Sequence, residues 1–294
     1  MKLLDYINGP IYFNASNVFT LQKYDNMINE MKTNSKYIHL DMSQELLEHG
    51  NINDVFNGLK NKTILISSPD IDFPPPKKPY SYDAYFDESR LPSNYLEIDY
   101  YEKINKELLP IIEKNNLHVF VHSLSTNHPN IVNVPIGIYP KFKHFHLKNN
   151  AKVNLCYANF GIPCNRWNGN PRTYLIELLK TKPFIYSENI GTFNRTHCSQ
   201  DQFYERISKS KFAICPRGCG IDTYRLWDCI LLGCIPIIEK YGGHEQFHEL
   251  PILYTENYSE ITEYYLNEKY RAFIENDYYY DKLLENYWKN RLLE

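Results

Sequence analysis

The sequence predicts an α/β protein built on parallel β-sheets, and three observations support this class. Short apolar runs rich in β-compatible residues alternate along the chain with segments whose apolar residues recur at helical spacing. Several of these runs are continuously apolar, as expected for parallel strands that are covered on both faces. The length of 294 residues is enough for two domains of ordinary size.

The first predicted domain covers residues 1–145 and contains a βαβ sheet. Its first 35 residues are expected to be irregular apart from one helix. Strands are predicted at residues 36–40, 63–67, 117–122 and 131–138, and helices at residues 21–31, 43–59 and 94–115. Pro110 is a candidate break in the last of these helices, because proline removes one hydrogen bond of the helix ladder.

The second predicted domain covers residues 146–294 and repeats the alternation of strand and helix. Strands are predicted at residues 152–158, 184–186, 211–215, 234–238 and 252–254, and helices at residues 171–179, 201–209 and 224–232. The chain is predicted to be strongly helical from Ser259 to its end. Parallel strands joined by helices place their connecting loops at the two edges of a sheet, where α/β proteins bind ligands.

The most informative stretch is residues 210–239, which reads as strand, glycine-rich turn, helix and strand. The turn Pro216–Gly220 follows the carboxyl end of its strand, and Asp222 or Thr223 is in position to cap the next helix. A helix start presents unpaired N–H groups and a partial positive charge. With Arg217 in the turn and Arg225 one turn into the helix, this arrangement suits a diphosphate.

Within this stretch, residues 215–238 (CPRGCGIDTYRLWDCILLGCIPII) closely resemble the signature of exostosin-like glycosyltransferases, PxGxGxDxxRxWExxxxGxIPI. The resemblance implies the GT-B fold, in which two Rossmann-like domains face each other across a cleft and the C-terminal domain binds the donor. It also implies a terminal helix that crosses back onto the first domain. By the same resemblance, the residues that line the sugar-nucleotide site are Gly218, Gly220, Asp222, Thr223 and Arg225.

Two further residues follow from the resemblance. Asp228 lies where the signature usually has Glu, which in GT-B enzymes tends to bind the nucleotide ribose, and Asp is one methylene shorter. Arg172 lies in the first turn of a helix where related sequences often carry an arginine, and it is predicted to be a second phosphate contact. Weaker matches to the family occur at Ser68-Pro69-Asp70 and around His128.

Sugar transfer needs stabilisation of the leaving diphosphate, deprotonation of the acceptor hydroxyl and exclusion of water. Arginines and a helix start meet the first need, and the sequence shows no DxD motif flanking a strand, so no metal or other cofactor is predicted. Asp70 is the first choice for the catalytic base, with His128 and His122 as alternatives. Inversion at the anomeric carbon is expected from the resemblance alone.

The leading functional prediction is a transferase that uses a UDP-sugar and a glycan or other hydroxyl acceptor. Two alternatives remain open: a transferase that uses a GDP-sugar, and a non-catalytic protein that binds sugar or nucleotide on a decayed GT-B scaffold. The formal net charge of −3 disfavours a nucleic-acid partner. The sequence gives no indication of oligomeric state.

Composition bears on compartment and origin. The 7 cysteines are odd in number and form no CxxC pair, which predicts reduced cysteines that pack as small apolar side chains. No signal peptide or run of about 20 apolar residues is present, so a cytoplasmic location is expected. The abundance of Asn, Lys, Ile and Tyr is typical of AT-rich genomes, as in a giant virus or an AT-rich microbe.

Overall fold

The computed structural model describes residues 1–9, 13, 16–31, 34–40, 52–66, 98–124, 126–161, 171–188, 190, 198–218 and 220–294. Its helices are α1 (Leu3–Asn8), α2 (Leu21–Met31), α3 (Ile52–Asn57), α4 (Ile98–Lys114), α5 (Pro171–Lys180), α6 (Gln200–Ser208), α7 (Tyr224–Leu231), α8 (Glu263–Glu275) and α9 (Glu285–Leu293). Its strands are β1 (Tyr37–Leu40), β2 (Thr63–Ile66), β3 (His118–Val121), β4 (Ile131–Asn133), β5 (Asn154–Ala158), β6 (Ile185–Ser187), β7 (Ser210–Ile214), β8 (Ile235–Glu239) and β9 (Leu253–Thr255).

The described strands form two sheets, and every strand pair within them is parallel. The first sheet has the order β1-β2-β3-β4, and the second has the order β6-β5-β7-β8-β9. Strands β2 and β8 are buried along their whole length, which explains why their sequences are continuously apolar. The predicted fold class, α/β of the GT-B type with two Rossmann-like sheets, is confirmed.

The described strands and helices overlap the predicted ones, with two departures. The first is α1, which lies in the stretch expected to be irregular and buries Leu3, Tyr6 and Ile7. The second is Pro110, because α4 continues through it without a break. Pro110 lies on the exposed side of α4.

Both ends of the chain pack away from the sheet that is nearest to them in sequence. The α1 residue Tyr6 donates a hydrogen bond to the carbonyl of Leu231 (3.0 Å) at the end of α7, in the C-terminal half. At the other end, Tyr37 of β1 donates to the carbonyl of Leu292 in α9 (3.3 Å). Residues 1–9 were predicted to belong to the first domain, but their apolar side chains complete the core of the second half. The domain boundary at 145/146 stays a prediction.

Two clusters of buried apolar side chains hold these layers together. The larger cluster surrounds the second sheet and extends through the chain ends to α2. The smaller cluster lies between α3, α4 and the first sheet, and it includes Phe56, Leu108 and Val119. Four cysteines belong to the larger cluster, as expected for reduced thiols that pack as small apolar groups: Cys156, Cys215, Cys229 and Cys234.

Candidate functional site

The candidate site lies at the carboxyl edge of the second sheet, between β5 and β7. The chain passes from β5 to β6 on one side of β5, and then returns to place β7 on the other side. In open α/β sheets, such a reversal of strand order opens a crevice between the loops that follow the two central strands. The described residues of those loops are 159–161 after β5, and 215–218 and 220–223 after β7.

Arg172 joins these two loops. Its Nη1 donates to the carbonyl of Gly161 (2.7 Å), after β5, and its Nε donates to the carbonyl of Arg217 (2.7 Å), after β7. Nη2 adds a bond to the carbonyl of Pro216 (3.2 Å). The side chain is buried, and its Cζ lies 5.7 Å from the ring centre of Phe160. Arg172 was predicted to bind phosphate. Its described hydrogen bonds all go to main-chain carbonyls, so in this structure it supports the two loops.

The turn that leads into α7 is closed by a hydrogen bond from the N–H of Gly218 to the carbonyl of Gly220 (3.0 Å). Gly218 does not use the left-handed backbone region, so its own torsion angles do not require glycine. A Cβ on Gly218 would lie 3.5 Å from Nη2 of Arg172, an ordinary contact. Thr223, one of the two predicted caps, is the N-cap of α7 by position, but its side chain forms no capping hydrogen bond.

Arg225 and Arg217 bring positive charge to this turn. Arg225 lies in the first turn of α7, is half-buried, and holds its Cζ 5.9 Å from the ring centre of Phe203 on α6. Its Nε is buried, and within the described part of the chain it has no hydrogen-bond acceptor. Arg217 is buried beside the same turn. A guanidinium N–H without a protein acceptor at a helix start is well suited to an anionic oxygen.

Asp222 is directed at the protein and not at the crevice. Its Oδ2 accepts the N–H of Ile136 (2.8 Å), and its Oδ1 accepts the indole N–H of Trp227 (2.7 Å). The N–H of Thr223 is a further donor to this carboxylate. Burial raises the pKa of Asp222 to about 7, and the three N–H donors oppose that rise.

Asp228, six residues later and within α7, has a similar environment. Its Oδ1 accepts the N–H of Tyr139 (3.2 Å), and the hydroxyl of Tyr204 is a second partner. Burial raises the pKa of Asp228 to about 7, and the N–H of Tyr139, the Tyr204 hydroxyl and the charge of Arg225 oppose that rise. A ribose in contact with Asp228 would therefore share its carboxylate with the N–H of Tyr139 and the hydroxyl of Tyr204.

The two leading candidates for the catalytic base have different outcomes. His128 lies three residues before β4, at the amino edge of the first sheet and on the opposite side from the crevice. Its Nδ1 accepts the N–H of Asn130 (3.2 Å), and its Nε2 lies 3.4 Å from Oε1 of Glu113. The structure therefore does not bring His128 to the other site residues. Asp70 lies outside the described residues.

Two neighbours of the site at the end of β3 have a role that the sequence did not reveal. Ser123 adopts a left-handed backbone (φ 54°), and its Oγ accepts the N–H of Asp222 (3.3 Å). His122 is fully buried, with Nδ1 2.7 Å from the carbonyl of Val134, so Nδ1 carries the proton. Burial lowers the pKa of His122 to about 4. No periodicity or motif in the sequence marks Ser123, whereas His122 was predicted as an alternative base and is fully buried.

The loops of the two sheets also meet directly. Asn133, at the end of β4, donates from Nδ2 to the carbonyl of Gly243 (3.1 Å) and from its N–H to Oε1 of Gln246 (2.9 Å). A Cβ on Gly243 would lie only 2.1 Å from the carbonyl oxygen of Leu124, so this close approach requires glycine. A buried asparagine inside an apolar run is the sequence signal that marks this contact.

Residues 112–262 match the family description Exostosin GT47 domain, and this range covers more than half of the 294 residues. The chain belongs to the exostosin GT47 family. A search of curated proteins gave no match. The matched range includes β3 to β9 and therefore every described element of the candidate site.

Membership of the exostosin GT47 family makes the protein a glycosyltransferase, with a sugar donor and an acceptor as its substrates. Within the described residues, no group of three or more His, Cys, Asp or Glu side chains is placed to hold a metal ion. No described helix has both the length and the apolar character required to cross a bilayer.

Proposed function

We propose that this exostosin GT47 protein transfers a sugar from a UDP-sugar to a hydroxyl group of a glycan acceptor, with inversion and without a metal ion. The observation that carries the proposal is Arg225. It lies at the start of α7 beside the crevice between β5 and β7, with a buried Nε that has no acceptor in the described part of the chain. A diphosphate oxygen supplies the acceptor that this N–H lacks.

Stabilisation of the leaving diphosphate is the part of the reaction that the described residues support best. The N–H groups in the first turn of α7 and the cationic Arg217 and Arg225 face negative charge that grows as the bond to the sugar breaks. Arg172 keeps the two loops of the crevice in place through bonds to their carbonyls. Fixed positive charge of this kind replaces the role that a divalent cation has in other transferases.

Asp70 is the proposed catalytic base. It follows β2, which ends at Ile66, so in sequence it comes after the carboxyl end of a strand of the first sheet. In the proposed step, the carboxylate takes the proton of the acceptor hydroxyl while the oxygen of that hydroxyl bonds to the anomeric carbon. The bond from that carbon to the diphosphate breaks at the same time, and UDP leaves from the opposite face.

A thermal-shift panel tests this proposal with UDP, GDP, CMP and their sugar conjugates, each with and without EDTA. A ligand at about 100 times its Kd adds about 2.7 kcal/mol to the free energy of unfolding, a shift of several degrees. We expect a UDP-selective shift that persists in EDTA and is lost in Arg225→Ala. Arg271→Ala is the matched control, because that arginine is exposed on α8, where it pairs with Glu268.

The other outcomes separate the alternatives. A thermal shift with GDP and not with UDP would indicate that the donor is a GDP-sugar. A UDP shift that disappears in EDTA contradicts the metal-free mechanism but leaves the donor class intact. No shift with any nucleotide contradicts transfer from a nucleotide sugar and favours a non-catalytic protein on the same scaffold. With binding established, loss of turnover but not of UDP binding in Asp70→Asn is the result expected for the base.

A further inference from the structure

The segment that leaves the first sheet, residues 134–139, passes directly over α7 and is here named the linking segment. Its N–H groups alternate between two sides. The N–H of Val134 donates to the carbonyl of Val121 (2.8 Å), and that of Ile138 donates to the carbonyl of Phe19 (3.3 Å), both in the N-terminal half. The N–H groups of Ile136 and Tyr139 turn the other way, toward α7.

The acceptors are the two acidic residues of the family signature, one just before α7 and one within it. Asp222 accepts the N–H of Ile136, and Asp228 accepts the N–H of Tyr139. Asp222 makes one more contact with the N-terminal half, because its own N–H donates to Oγ of Ser123. Three hydrogen bonds therefore connect the start of α7 to the chain of the first sheet, and two of them end on a buried carboxylate.

We propose that Asp222 and Asp228 are positioning residues that hold the first sheet, through the linking segment, at a fixed place relative to the start of α7. Neither carboxylate is a ligand of the donor nucleotide in this assignment. Both oxygens of Asp222 already accept N–H groups of the protein, and Asp228 is held by a main-chain N–H and by Tyr204. A ribose hydroxyl would therefore have to enter a buried site in which these donors already surround both carboxylates.

The linking segment has the features of a part that must keep one conformation. Gly137 has φ 70°, and a Cβ there would lie 2.4 Å from the carbonyl oxygen of Phe19. Pro135 has no N–H to satisfy and restricts the chain before Ile136. The ring of Tyr139 packs edge-on against Tyr224 of α7, with ring centres 5.6 Å apart. A rigid segment transmits the position of the carboxylates to the whole first sheet.

Site-resolved amide exchange on the full-length protein tests the assignment directly. In Asp228→Ala, the N–H of Tyr139 loses its charged acceptor and should exchange at least about tenfold faster, while the N–H of Ile136 changes much less. In Asp222→Ala the pattern should reverse, because the N–H of Ile136 then loses its acceptor. If Asp222→Ala does not fold, Asp228→Ala carries the test alone. Unchanged exchange of Tyr139 in folded Asp228→Ala overturns the proposal.

Asp228→Asn is the variant that separates positioning from ligand binding. Its Oδ1 can still accept the N–H of Tyr139, and its Nδ2 can donate to the hydroxyl of Tyr204. We expect wild-type exchange at Tyr139 and a Kd for UDP, measured by calorimetry, within about threefold of wild type. Wild-type exchange together with UDP binding weakened by about tenfold or more identifies a ribose ligand and overturns the positioning role.

The two arms fail independently. The UDP arm rests on the proposed function, whereas the exchange arm needs no ligand. If the wild-type protein does not bind UDP, the proposed donor is wrong, and the exchange of Ile136 and Tyr139 still decides whether the carboxylates hold the linking segment. A core variant of α5 with a similar loss of stability, Leu175→Ala, is the control. It should not change the exchange of these two amides selectively.

Discussion

Replacement of Arg172 by methionine and by lysine tests whether this residue supports the loops or binds phosphate. Arg172 donates to three main-chain carbonyls, of Gly161, Pro216 and Arg217. A buried carbonyl that loses its donor costs roughly 1–3 kcal/mol, and the bond to Gly161 is partly exposed, so water can replace it. We therefore expect Arg172→Met to lower the free energy of unfolding by about 4 kcal/mol, from the two buried carbonyls.

Lysine keeps the charge of Arg172 but not its planar fork, so it reaches both loops poorly. We expect Arg172→Lys to lose about 2–3 kcal/mol of stability and to weaken UDP binding by tenfold or more. Urea unfolding followed by tryptophan fluorescence gives the first quantity, and calorimetry gives the second. Arg271→Lys, an exposed change, should stay within about 0.5 kcal/mol of wild type. Wild-type stability in Arg172→Lys would refute the role in joining the loops.

Three further predictions concern the linking segment and buried charges. Gly137→Ala should cost about 3 kcal/mol, because φ is 70° and the new methyl group meets the carbonyl of Phe19, whereas Gly233→Ala meets only a movable side chain and should cost less in the same urea assay. Lys152→Met should cost about 2–3 kcal/mol in urea, because the buried ammonium donates to the last carbonyls of α6 and α7. Between pH 4.5 and 6.5 the free energy of unfolding of the wild-type protein should stay nearly constant. As pH falls, Asp222 and Asp228 (pKa about 7) take up protons in the folded state and stabilise it. His122 and His244 (pKa about 4) take up protons only in the unfolded state over this range, which opposes that stabilisation by a similar amount. In His122→Gln one opposing group is gone, so stability should rise by about 1.4 kcal/mol per unit fall in pH, and a wild-type slope in that variant would contradict the reasoning.

Local pattern was sufficient to predict the unit at the centre of the site. The predicted strand 211–215 is observed at Ser210–Ile214, and the predicted helix 224–232 is observed at Tyr224–Leu231. Gly233, which follows the C-cap of that helix, has φ 65°, a conformation typical of glycine at a helix end. These features depend on apolar spacing and on backbone preferences, which neighbouring residues determine.

The partners of the charged side chains could not be predicted in this way. Asp222 and Asp228 bond to N–H groups that lie 86 and 89 residues away in sequence. Arg172 reaches carbonyls up to 45 residues away. Main-chain donors and acceptors are the same at every position, so no residue type identifies them as partners. The resemblance to a family singled out these residues, and the structure shows what each of them contacts.

The distribution of partners around α7 bears on the non-catalytic alternative. Asp222, Asp228 and Arg172 all have protein partners and would be needed in a scaffold without activity. Arg225 differs, because its buried Nε has no acceptor in the described part of the chain and such a group costs roughly 1–3 kcal/mol. A purely structural helix gains nothing from that cost. A helix that binds a diphosphate recovers it when the ligand arrives, and this difference favours a functional donor site.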